Sequence, residues 1–201
     1  MIRGTQGYSD EADEFIKRSE AIPFAEKHRH VLHLFRGDPC DILDIGAGTG
    51  ADAAFFADQG HRILAVEPTD ELRVAAMQLH RSDQIEWGND SLPELTWTLK
   101  RGQQFDLVLI SAVWMHLDES ERQRAMPNVA SMIRAGGILI MSLRHGPVPS
   151  TKQMFDVSAD ETINLGESLG MRCVLNVEAE SIQSANRLAG VTWSHLAFQR
   201  F

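Results

Sequence analysis

The sequence predicts an α/β domain, a mostly parallel sheet with helices on both faces. Three observations carry this expectation. Short apolar runs of strand length recur at residues 42–45, 63–66, 105–110 and 138–143, as buried parallel strands require. Stretches of helical composition separate them. Between the first run and its helix, glycines stand at alternate positions 46, 48 and 50, which reads as strand, glycine turn, helix.

Size and charge narrow the class. At 201 residues the chain is expected to form one domain, 1–201, whose core needs no disulfide staples. The formal net charge of −9 and the scarcity of Lys/Arg runs argue against the broad phosphate-binding face of a nucleic-acid partner. Cys40 and Cys173, far apart in apolar surroundings, read as two buried thiols, which suits a reducing cytoplasm. Residues 1–7 lack the apolar core of a signal peptide, and no apolar run approaches membrane-spanning length, so a soluble cytoplasmic protein without membrane contact is expected.

Residues 9–35 have helical composition: Asp10, Glu11 and Asp13 enrich a first turn after Ser9, and apolar residues recur at Phe15, Ile16, Ile22 and Phe24. Pro23 divides the stretch into two helices. His28, His30 and His33 look clustered, but on a helix only the last two share a face, and no Cys or carboxylate at zinc-ligand spacing joins them. A solvated helix face and no metal are expected.

The turn Gly46-Ala47-Gly48-Thr49-Gly50-Ala51 leaves backbone N–H groups bare at a helix start, where a small molecule can lie against them. It also fits the dinucleotide fingerprint G-x-G-x-x-A. Asp44 distinguishes the two uses, because a carboxylate here repels an anionic pyrophosphate and attracts an ammonium or a sulfonium. In these residues the sequence resembles the class I S-adenosylmethionine-dependent methyltransferases, whose first motif is an acidic residue followed by G-x-G-x-G. The resemblance implies S-adenosyl-L-methionine as cofactor and S-adenosyl-L-homocysteine as product. It implies a three-layer Rossmann-like methyltransferase fold with a seven-stranded, mostly parallel sheet whose last strand is antiparallel. Residues 41–201 would form the core and 1–36 an N-terminal helical lid, with Tyr8 either capping the bound cofactor or packing against the body of the fold.

Beyond the turn, a helix of Ala and Phe runs to Gly60, and the strand at 63–66 ends in Glu67-Pro68. An acidic residue about 20 positions past the glycines, at a strand end, is placed to accept from both ribose hydroxyls. Thr69-Asp70-Glu71 also reads as the start of a helix to about His80, so Glu67 can equally be a helix-start neighbour. A short third strand, 84–87, leads into Gly88-Asn89-Asp90-Ser91-Leu92-Pro93. The resemblance implies that Asp90, flanked by Asn89 and Ser91, accepts from the adenine amino group; the alternative is an Asx-turn.

The fourth strand, 105–110, ends in Ser111-Ala112-Val113-Trp114 beside the first strand's loop, at the switch point where ligands bind. Ser111 and Val113 are expected against the cofactor and the acceptor beyond them. The [Asp/Asn/Ser]-Pro-Pro-aromatic tetrad of base methylation is missing. A polar helix over 119–134, stopped by 135–137, precedes the fifth strand, 138–143, and Arg144-His145 follow on the rim. A helix over 160–169 and strands at 171–177 and 191–198 complete the chain.

The expected function is methyl transfer to a small-molecule acceptor. The alternatives are a methyltransferase acting on protein or RNA, and a cofactor-binding domain without catalysis serving as an interaction partner. A base is needed only if the acceptor must lose a proton. His116 and His145 are the candidates, each of them alternatively a structural or solvent-facing histidine. Arg144 either clamps an acidic group of the acceptor or pairs with one of the chain's own carboxylates.

Overall fold

The computed structural model describes residues 5, 7, 8 and 11–201. Ser9 and Asp10, which the sequence assigns to the first turn of a helix, lie outside the described residues. Seven strands form one sheet: β1 Asp41–Ile45, β2 Arg62–Val66, β3 Ile85–Gly88, β4 Phe105–Ser111, β5 Ile133–His145, β6 Met171–Glu180 and β7 Thr192–Arg200, in the order β3-β2-β1-β4-β5-β7-β6. Every neighbouring pair from β3 to β5 is parallel. β7 inserts antiparallel to both β5 and β6. This is the Rossmann-like arrangement expected, with an antiparallel last strand.

The helices are α1 Ala12–Glu20, α2 Phe24–Lys27, α3 Ala51–Asp58, α4 Asp70–Leu79, α5 Thr96–Lys100, α6 Glu119–Met132, α7 Ala159–Glu167 and α8 Ser184–Leu188. Because strand side chains alternate between faces, the central strands feed two cores. Leu43, Ile45, Val108 and Ile110 join Trp114, Met126 and Val129 of the segment after β4. Ile42, Leu109 and Ile140 join Ala53 and Phe56 of α3 on the opposite face. Each such Leu, Ile or Phe, removed from water, contributes roughly 1.5–3 kcal/mol.

Three local expectations are corrected. Pro23 does divide the N-terminal stretch, but the second helix is a single turn followed by a 3₁₀ turn at Leu32–Leu34. The Phe24 ring stacks on Phe55 with centroids 3.6 Å apart, and Val31 enters the α3 core. That pull toward α3 also buries His28, while His33 stays exposed, so the three histidines do not form one solvated helix face. The third correction concerns α6, which starts on a capping box between Asp118 and Glu121 and stops at Met132 instead of running on to 134. Ile133 already pairs with Phe105, and a register shift then lets Ile138 pair with Leu107. Strand pairing has taken over the helix's last turn.

The free Cys40 is buried and the free Cys173 half-buried. Among the described residues, no helix is long and apolar enough to cross a membrane.

Candidate active site

A cleft of about 670 Å³ opens over the carboxyl ends of the parallel strands, the usual ligand position in such a sheet. Its floor is the glycine turn after β1. Gly46 has φ +74°, and a Cβ there would lie 2.4 Å from Val113 Cγ2. Gly50 has φ +81°, and its Cβ would meet Trp87 Cη2 at 2.6 Å. Both positions exclude a side chain by conformation and by space. Val113 is brought over Gly46 by Ala112, whose φ is +59° and whose N–H donates to Ser142 Oγ at 2.9 Å. Gly46, Ala47, Gly48, Ser111 and Val113 all line the cleft.

Glu67, at the end of β2, is buried and holds the turn in place. Its Oε2 accepts from the Gly48 N–H at 2.9 Å and its Oε1 from the Thr69 N–H at 2.7 Å. Burial raises its carboxyl pKa, against the lowering effect of these hydrogen bonds. Glu67 is thus a helix-start neighbour of α4, through Thr69, and it also lines the cleft together with Pro68. Asp90 likewise lines the cleft with Ser91, while its Oδ2 accepts from the Thr98 N–H at 2.8 Å and from Thr98 Oγ1 at 2.9 Å inside α5. Asn89 is exposed, off the cleft wall.

Asp44 departs from its expected position. It is buried behind the turn and does not line the cleft, and its Oδ2 has no hydrogen-bond partner. Burial first, and then the Asp52 carboxylate, push its pKa up to about 8. Its neighbour Asp52, in the first turn of α3, does line the cleft. Burial would raise its pKa, but the Lys27 ammonium and His28 outweigh burial and hold it well below the carboxylate range. Lys27 Nζ donates to Asp52 Oδ2 at 2.7 Å. No local signal in the sequence marks either residue, because the pair forms across 25 positions.

At the other end of the cleft, Arg144 and His116 converge with Tyr8. The Nδ1 of His116 lies 2.7 Å from the Gln153 carbonyl. A carbonyl only accepts, so Nδ1 carries the proton and Nε2 is the acceptor. The Tyr8 hydroxyl occupies that acceptor at 3.2 Å. Burial lowers the His116 pKa, the Gln153 carbonyl opposes this, and Lys152 and Arg144 add to the lowering. The Tyr8 ring carries Lys152 Nζ 3.8 Å above it and meets Phe15 of α1 edge-on. Phe15 lies 3.6 Å from where a Gly48 Cβ would be, so α1 lies over the glycine turn.

Arg144 donates to the Pro147 carbonyl at 2.8 Å and touches Met154 Sδ at 3.9 Å; neither partner is a carboxylate. His145 is not brought to the cleft. Successive residues of β5 face opposite sides, and His145 Nε2 bonds instead with Ser194 Oγ at 2.8 Å. Of the two expected catalytic histidines, only His116 reaches the site. His30 and His195 also line the cleft, their rings 5.1 Å apart. Among the described residues, no three His, Cys, Asp or Glu side chains are grouped as for a metal ion.

The model of a family described as "Methyltransferase domain" matches residues 42–137. Glycine N-methyltransferase of Mus musculus is 30% identical over 135 residues, 60% of this chain and 46% of that protein. The Homo sapiens enzyme is 28% identical over 167 residues, 70% of this chain and 57% of that protein. The chain thus spans about half the length of the curated relatives it matches. Among solved structures, Burkholderia thailandensis 1,6-didemethyltoxoflavin-N1-methyltransferase, with bound 1,6-didemethyltoxoflavin and S-adenosylhomocysteine, is similar at TM-score 0.72 and 20% identity, covering 96% of this chain and 84% of that one. N-methyltransferase NodS of Bradyrhizobium japonicum, in complex with S-adenosylhomocysteine, is similar at TM-score 0.66 and 20% identity, covering 93% and 97%. At these identities the two structures speak for the fold.

Proposed function

We propose that this chain, which belongs to the class I S-adenosylmethionine-dependent methyltransferase family, binds S-adenosylmethionine in the cleft and transfers its methyl group to a small-molecule acceptor, releasing S-adenosylhomocysteine. The observation that carries the reading is the cradle itself. Side-chain-free glycines, the Glu67 carboxylate tied to Gly48, and Asp90 all face one cleft. The donor set fits the cofactor: Glu67 accepts from ribose hydroxyls and Asp90 from the adenine amine, each through lone pairs left over from its backbone contacts. Ser111 and Val113 wall the turn on the β4 side.

When bound, S-adenosylmethionine supplies a methyl group already activated by a sulfonium. The chain's residues have then to align the acceptor and exclude water. The described part of the N-terminal segment acts as the lid, with Tyr8 and Phe15 above the turn; residues 1–4, 6, 9 and 10 of the expected lid 1–36 lie outside the described residues. Arg144, whose hydrogen bonds go to no carboxylate, clamps an acidic group of the acceptor. His116 Nε2 takes the acceptor's proton where one must leave. A cleft roofed by α1 favours a small acceptor over a protein or RNA strand. The cytoplasm suits two free cysteines.

Calorimetry tests the reading: S-adenosylhomocysteine should bind and NAD should not. Tight NAD binding without heat from either adenosyl ligand overturns it. Screening acceptor libraries for S-adenosylhomocysteine release then identifies the substrate.

A further inference from the structure

The helix that roofs the cleft is held by little hydrophobic packing. None of the nine residues of α1 is buried, and a helix of that length is not stable by itself in water. On its N-terminal side it is fastened by Lys152, which sits on the strap 146–158 between β5 and α7. The Lys152 side chain is only 7% exposed, and its ammonium is turned to the N-terminal segment. The Gly7 carbonyl accepts from Nζ at 2.5 Å, the Glu11 carboxylate stands 3.0 Å away, and the Tyr8 ring centroid 3.8 Å away. The two backbones also meet there, since Gly7 has φ +74° and a Cβ on it would collide with the Thr151 carbonyl. The next two residues of the strap reach the acceptor side of the cleft. The Gln153 carbonyl accepts from His116 Nδ1 at 2.7 Å, and Met154 Sδ lies 3.9 Å from Arg144 Nη1. Phe155 then ties the strap to the body of the fold, its N–H donating to the Met115 carbonyl at 2.8 Å. Three consecutive residues thus hold Tyr8, His116 and Arg144.

We propose that Lys152 is a positioning residue, the latch that closes the N-terminal segment over the cleft and sets the Tyr8 hydroxyl against His116. For the ligand under the roof this rests on the cofactor reading above. An ammonium away from water is strongly penalised unless it is paired. Lys152 therefore has two states: engaged with Gly7, Tyr8 and Glu11, or swung out to solvent with the segment released. The other end of α1 stays tied beside α4, where Glu20 Oε1 and His80 Nε2 are 3.2 Å apart, so release frees the Tyr8 end first. The engaged latch keeps Tyr8 and Phe15 above the glycine turn; the released latch opens the path by which ligands enter and leave. Such a gate acts on entry and exit alike, whereas a ligand contact acts mainly on exit.

Stopped-flow tryptophan fluorescence with S-adenosylhomocysteine, together with amide hydrogen exchange on the ligand-free chain, tests the latch. In Lys152→Met the association and dissociation rate constants should both rise about tenfold, the scale of one charge-assisted contact. The amides of α1 should exchange faster by a similar factor, while those of α3 and α6 keep parent rates. Lys152→Arg, which keeps the charge and a donor, should return both readouts toward the parent. Parent-like ligand rates, or parent-like exchange in α1, overturn the proposal. Faster dissociation with unchanged association also overturns it, because Lys152 would then be a ligand contact, as does faster exchange throughout the chain, the mark of an ordinary stabilising residue. Should Lys152→Met not fold, Gly7→Ala decides the point: it pushes the segment off the strap with Lys152 intact and should raise α1 exchange and both rate constants, and a parent-like variant sinks the latch. A parent that binds no S-adenosylhomocysteine sinks the cofactor reading, whereas exchange in the ligand-free chain still judges the latch.

Discussion

The Tyr8 hydroxyl and His116 Nε2 are 3.2 Å apart, joined across 108 positions of the chain. The Gln153 carbonyl accepts from the Nδ1–H, which leaves Nε2 as the basic position of the ring, pointing at the lid. Lys152 and Arg144 face the same ring and resist its protonation. A catalytic role for His116 therefore gives a pH–rate profile whose acid limb lies below that of an ordinary histidine, because burial first, and then the two cations, lower its pKa. His116→Ala should lower kcat about 10²-fold with cofactor affinity unchanged. A profile that breaks above pH 7 is incompatible with this base.

Arg144 and His145 are sequence neighbours with opposite expected outcomes. Arg144→Ala should raise the acceptor KM, because a carboxylate clamp acts in ground and transition states alike. His145→Ala, on the other face of β5, should leave both kcat and KM at parent values. Equal loss in the two variants would mean that the rim is built otherwise.

Glu67→Ala should cost about 2–4 kcal/mol of S-adenosylhomocysteine affinity, since it removes charge-assisted acceptors from a buried site. It also leaves the Gly48 and Thr69 N–H groups without their acceptor, which should cost a further roughly 1–3 kcal/mol of folding stability. Denaturant unfolding and calorimetry on the same variant separate the two losses. Parent-like binding by a folded variant would reduce Glu67 to a helix-start residue.

Asp44 makes folding pH-dependent in an unusual direction. Its carboxyl is raised from 3.8 to about 8 by burial and by Asp52, so between those values the folded state holds a proton that the unfolded state has lost. Its contribution is present below pH 3.8 and is lost as pH rises toward 8. Asp44→Asn, neutral at every pH, should therefore melt higher than the parent at pH 8 and flatten the decline. A variant less stable than the parent at that pH would show that Asp44 is ionised in the fold.

The glycines of the turn should not be equivalent. Gly46→Ala meets Val113 at 2.4 Å, whereas Gly48→Ala meets only Phe15 at an ordinary 3.6 Å. Gly48→Ala should lose about 1 kcal/mol for its positive φ. Gly46→Ala should lose clearly more, with weaker S-adenosylhomocysteine binding besides. Thermal melts in the presence and absence of the ligand rank them.

What the sequence alone determined is what neighbouring residues enforce on one another. Apolar runs long enough to be buried on both faces marked four of the five parallel strands, β1, β2, β4 and β5, a short stretch before Gly88 marked β3, and three glycines marked the turn. The strand ends at Glu67 and Asp90 followed from position, and both residues do face the cleft. Tertiary structure decided whatever depends on partners far along the chain. The one-turn α5 and α8 carry too little periodicity to be read. α6 ends early because Ile133 finds Phe105, a contact no local pattern announces. The β5 alternation, fixed by pairing with β4 and β7, sends Arg144 to the cleft and His145 away. Asp44, which dominates the motif on paper, is sealed behind the turn, while Asp52 and Lys27 meet at its edge only because Phe24 and Val31 draw the N-terminal segment onto α3. Hydrophobic packing at a distance, not the local code, selected which of these two carboxylates reaches the site.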